Sequence, residues 1–80
     1  MSAVLERVVY LDEVAEFLAT RPSADEILAF RPSEDVETRF AELIANQRGP
    51  GLSDDEQEEF EQFQQTEMLL RLLKARLRQS

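Results

Sequence analysis

The side chains in this sequence with the reach to do chemistry are carboxylates. There are seventeen Asp and Glu, nine Lys and Arg, and no His, Cys or Trp. Paired carboxylates act as general acid and base when a walled pocket pushes their pKa values apart, and a chain this short is poorly equipped to build one. The densest acidic cluster, Asp54-Asp55-Glu56 with Glu58, Glu59 and Glu61, follows Ser53. Helix capping and the positive end of the helix dipole already account for acids at such a place. An EF-hand takes its ligands from alternating positions around a central glycine, which consecutive acids do not supply. No metal site and no cofactor are expected.

Without His, the usual general base near neutral pH is missing. Without Cys there is no thiolate nucleophile, disulfide framework or Cys-ligated zinc. Gly49 and Gly51 are the only glycines, so no glycine-rich loop cradles a phosphate. The expectation is a non-enzymatic protein without a small-molecule substrate. The net charge of -8 argues against nucleic acid, whose binding needs Lys and Arg to displace counterions. The same charge attracts a basic partner. Apolar runs such as Val8-Val9-Tyr10-Leu11 stop at four residues, where a membrane span needs about 20. Glu6, Arg7, Asp12 and Glu13 interrupt any signal-peptide apolar stretch. A cytoplasmic location away from membranes is therefore expected.

Eighty residues are enough for one small domain over 1–80. Pro22, Pro32 and Gly49-Pro50-Gly51 cut it into four pieces, because proline and glycine break helices. The fold class expected is all-α, with three short N-terminal helices packed on one long C-terminal helix. Leu11, Val14, Phe17 and Leu18 recur at helical steps over about 11–20, with Asp12 as a candidate cap. Residues 3–10 are ambiguous, since Val4, Glu6 and Val8 fit a strand as well as a helix or a loose arm. Ser23 and Glu26 form a capping box for a helix over about 24–30. Ser33 caps a third over 34–48, with Val36, Phe40, Leu43, Ile44 and Gln47 on one face. Ser53 and Glu56 form a second capping box, opening a helix over 54–78. At 1.5 Å per residue, 26 helical residues within 53–79 would reach about 39 Å, enough for part of the helix to project.

The last helix is sorted by charge. Seven acids from Asp54 to Glu67 precede Arg71, Lys74, Arg76 and Arg78; residues 1–67 sum to -12 and the last thirteen to +4. Dipole complementarity covers only the end turns, so it accounts for part of this pattern. Phe60, Phe63 and Leu70 share one narrow stripe. Beyond Thr66, Met68, Leu69, Leu70, Leu72, Leu73 and Leu77 spread over about 200° of the helix surface. An apolar arc wider than one packing face implies two faces to cover, one of them by a partner. The expected contact surface is Met68, Leu69, Leu72, Leu73, Arg76 and Leu77, with Glu58, Glu59 and Glu61 as electrostatic counterparts. The occupant is a protein partner or a second copy in a homo-oligomer. Two copies laid antiparallel would set acidic half against basic half.

Phe30-Arg31-Pro32-Ser33, Gly49 with Leu52-Ser53, Glu58-Glu59, and Leu73-Lys74-Ala75-Arg76 form a pattern of F-x-P-S, G-x-L-S, E-E and L-x-K-A-R. In this the chain resembles a family of short, mostly uncharacterised bacterial helical proteins, over about 70 of its residues. The resemblance implies a helical protein without an assigned activity. Members encoded beside small nucleases or toxins imply an antitoxin-like role, and no catalytic residue carries over. The chain departs from the pattern with Gly49-Pro50-Gly51 in place of one glycine, and with Leu77 in place of a small residue.

Overall fold

The computed structural model describes residues 9–79. The ambiguous segment before Val9 lies outside the described residues. Four helices follow one another: α1 (Tyr10–Ala19), α2 (Ala24–Leu28), α3 (Glu34–Arg48) and α4 (Asp54–Gln79). There is no strand among the described residues. The long α4 packs against each of the other three, which is the all-α arrangement expected.

The helix starts are built from local chemistry. Ser23 Oγ accepts from the Glu26 amide at 3.1 Å while Glu26 Oε1 accepts from the Ser23 amide at 2.7 Å. Ser53 and Glu56 repeat the exchange at 3.2 and 3.0 Å. Ser33 accepts from the Val36 amide at 3.2 Å. Its third helical residue is apolar and cannot answer, so Glu13 of α1 takes the Ser33 amide instead, at 2.8 Å. A cap usually completed within one turn here ties α1 to α3. Gly51 has φ +98 and donates to the Asn46 carbonyl at 2.7 Å. This left-handed residue closes α3, and a Cβ there would strain the backbone whatever the space around it.

The start of α1 corrects one expectation. Asp12 is not its cap; the helix begins at Tyr10, after an extended Val9 with no side-chain cap. The reason is tertiary. Tyr10 and Val14 are fully buried, whereas Leu11 is 41% exposed; Tyr10 takes the place anticipated for Leu11, while Val14, Phe17 and Leu18 keep theirs, Leu18 against the core and Phe17 against Phe30. On α3, Val36 and Leu43 are buried and Phe40 and Ile44 pack against the core, while Gln47 is exposed. From α4 come Phe60, Phe63 and Leu70. Phe63 is the hub, edge-on to Tyr10 at 5.9 Å and to Phe40 at 5.5 Å between ring centroids.

The expected projection of α4 is confined to its end. Lys74 Nζ donates to the Phe30 carbonyl at 2.9 Å, so the segment joining α2 to α3 flanks α4 as far as that residue.

Tyr10 also carries a pH signature. Its hydroxyl donates to Glu67 Oε1 at 2.8 Å. Burial, and next that hydrogen bond, hold the phenol well above its ordinary pKa of about 10. The folded chain therefore keeps a proton that the unfolded chain releases, and stability falls as pH rises past about 10. Tyr10→Phe is expected to cost about 1 kcal/mol at neutral pH. It should also lose less stability than the wild type between neutral and strongly alkaline pH. Urea midpoints of both proteins at the two pH values test this; equal alkaline losses would refute it.

Candidate protein-docking face on helix α4

Two sides of α4 differ in what they meet. The inner side carries Glu59, Phe63, Thr66 and Leu70, all buried, at steps of four, three and four. Thr66 satisfies its hydroxyl by donating to the Gln62 carbonyl at 2.8 Å. The outer side carries Met68, Leu69 and Leu72, which are 52%, 49% and 51% exposed. At about 100° per residue, Met68 and Leu72 each stand about 160° from the buried Leu70. These are three of the four large hydrophobic residues that stand exposed among the described residues, and they lie within two turns of one helix.

The remaining residues anticipated for this surface divide between the two sides. Leu73 and Leu77 are half-buried, while Arg76, Glu58 and Glu61 are exposed. Glu61 accepts from Gln57 Nε2 at 3.1 Å. The broad apolar arc read from the sequence is thus real but split: Leu70 serves the core, Leu73 and Leu77 the flank, and Met68, Leu69 and Leu72 stand outside.

Glu59 requires a correction. It is 4% exposed, faces inward, and belongs to an ion pair rather than to a partner surface. Arg39 of α3 donates to it through Nε and Nη2, both at 2.9 Å, the two-pronged geometry that suits guanidinium and carboxylate. Arg39 also lies 3.1 Å from Glu42 and 3.9 Å from Glu56. The hydrogen bond to Glu59 above all, opposed by partial burial and aided by Glu42, pushes the guanidinium further up, so it stays charged. A signal for this pair exists in the sequence. Glu59 heads the spacing 59, 63, 66, 70, so it lies in register with the core, and Arg39 sits between Val36 and Leu43.

A cleft of about 240 Å³ lies where α4 meets the start of α1 and the α2–α3 connection. Arg31, Arg71, Lys74 and Arg78 line it together with Glu67 and Tyr10. Lys74 is held by the Phe30 carbonyl, and Arg71 stands 3.8 Å from Glu67. Among the described residues no group of acids is placed to hold a metal ion, and no helix is long and apolar enough to cross a membrane. Comparison of the chain with family models, with curated proteins and with solved structures gives no match.

Proposed function

We propose that this chain is a non-enzymatic protein–protein interaction module, a single helical domain that docks through the outer face of α4. The observation that carries the reading is the placement of Met68, Leu69 and Leu72, each about half exposed on the side turned away from the core. Grouped large apolar side chains on the surface of a small protein mark interaction sites. The net charge of -8 favours a basic partner, because negative charge can occupy a cationic groove and steer its approach. The F-x-P-S to L-x-K-A-R pattern adds support for an antitoxin-like role in the bacterial cytoplasm, as an inhibitory partner of a basic protein such as a nuclease.

Leu72→Glu tests the docking face. Leu72 is half exposed and not a member of the buried cluster, so the change should leave folding stability within about 0.5 kcal/mol of wild type. A charge at the centre of a docking surface should weaken binding by about 2 kcal/mol or more, roughly thirtyfold. Wild-type and Leu72→Glu chains serve as baits in native lysate, with circular dichroism checking the fold. A stoichiometric protein retained by the first and lost by the second is the expected result. If nothing held by the wild type depends on Leu72, the chain itself included, the reading fails.

A further inference from the structure

We infer that the occupant of the outer α4 face is a second copy of this chain, lying antiparallel along the first. The inference rests on the docking-face reading above; it assigns the α4 face to a second copy, adds the direction in which that copy lies, and leaves the acidic remainder of the surface to a basic partner.

Spacing comes first. Glu61, Gln65, Met68, Leu72, Ala75 and Gln79 follow one another at alternating steps of four and three. The helix that carries them, Asp54–Gln79, holds no proline or glycine. A step pattern averaging 3.5 residues keeps a stripe on one side of a helix and lets two helices mesh side chain into gap. The inner stripe of 59, 63, 66 and 70 also alternates four and three, and it is already covered. The outer stripe has the same periodicity and no cover from any described helix.

Symmetry comes second. A two-fold interface pairs each residue with a different one in the other copy, reciprocally. If the axis passes near residue 70, Met68 of one copy meets Leu72 of the other, twice. Leu69 then falls close to its own equivalent, Gln65 faces Ala75, and Glu61 faces Gln79. Apolar groups fill the centre and polar groups fall at both ends, which is the usual arrangement of an interface core and rim.

Charge selects the direction. In the antiparallel arrangement Arg76 lies within one turn of Glu61 of the other copy, and the acidic first half of each helix runs beside the basic second half. The helix dipoles also oppose one another. A parallel pair would stack Glu61 on Glu61 and Arg76 on Arg76. A wholly acidic or wholly basic partner would suit only one end of the stripe; a reversed copy suits both.

The stripe from Glu61 to Gln79 is about 27 Å long, a modest seam, so association should be reversible and concentration-dependent. Sedimentation equilibrium of the pure chain from about 5 to 500 µM is expected to show mass rising from 9.2 kDa towards twice that value. Leu72→Glu should weaken association at least thirtyfold with helix content unchanged. Direction is read by crosslinking, since the chain has no cysteine of its own. Gln65→Cys and Ala75→Cys chains, mixed under oxidising conditions, should join to each other and scarcely to themselves. Self-joining of each variant would indicate a parallel pair and overturn the direction. A 9.2 kDa monomer throughout would overturn the second copy as occupant; if lysate then yields a Leu72-dependent partner, the docking face itself survives. Association that ignores Leu72→Glu would likewise remove the second copy from this face, and the docking face itself would then stand or fall with the Leu72-dependence of the lysate baits.

Discussion

Phe63→Ala is expected to unfold this protein at 25 °C. Phe63 has no exposed surface and joins three helices: its ring meets Tyr10 of α1 and Phe40 of α3 from its place on α4. Truncating a buried Phe costs about 3–5 kcal/mol, part lost transfer energy and part the cavity left behind. A core of this size rarely yields more than about 3–5 kcal/mol in total, and no disulfide adds to it. The loss therefore matches the whole stability. The expected outcome is collapse of the helical circular dichroism and disappearance of the cooperative urea transition. Phe63→Leu, which keeps most of the volume, should fold at a cost nearer 1.5 kcal/mol. Phe60→Ala should cost less than Phe63→Ala, because Phe60 meets a single aromatic ring, Phe40 at 5.7 Å. Self-association adds stability by mass action, so the comparison belongs in the Leu72→Glu background. A Phe63→Ala chain that melts within about 1 kcal/mol of its parent would show that the hub of the core lies elsewhere.

The features legible in the sequence are the ones that local chemistry determines. Ser23 with Glu26, and Ser53 with Glu56, form capping boxes within a single turn, so their bonds depend on nothing distant. The apolar spacing of α3 likewise found Val36, Phe40, Leu43 and Ile44. What escaped was decided across the fold. Asp12 has the chemistry of a cap and Leu11 the spacing of a core residue. Burial of Tyr10 against Phe63, and its bond to Glu67 57 positions away, sets the start of α1 so that neither takes that role. Ser33 shows the same limit, since the acid answering its amide is Glu13, 20 positions back. Charge on α4 reads as a surface property, because exposure is the rule for acids. The periodicity of α4 could have placed Glu59 on the core side, but only the fold brings Arg39 to it. The outer apolar face was legible for the opposite reason: it is a property of one helix alone, and no other described element alters it.

The Arg39–Glu59 pair gives the second large effect, with an asymmetry that separates a buried pair from a surface one. The side chain of Glu59 is 3% exposed and that of Arg39 29%. Arg39→Met strands a carboxylate in the core, beside Phe60 and Phe63 in the helix, after removing both of its guanidinium hydrogen bonds. Breaking a buried pair from one side in this way costs about 3–5 kcal/mol, and partial access of water places the expectation near 3. Glu59→Met leaves Arg39 beside Glu42 and Glu56 with one end in solvent, so its expected cost is nearer 1 kcal/mol. The double variant removes both charges and adds apolar surface. It should recover most of what Arg39→Met loses, since exchanging a buried pair for apolar groups is often neutral. Urea unfolding of the four proteins, read as a double-mutant cycle, gives the coupling directly. Salt at about 0.5 M should change that coupling little, because a desolvated pair is poorly screened. Equal losses for the two single variants, with no recovery in the double, would place Glu59 in water and return it to the surface of α4 as an available acid. The predicted asymmetry instead keeps it as the charge that locks α3 onto α4, holding the inner side of that helix fixed while its outer side stays open to a partner.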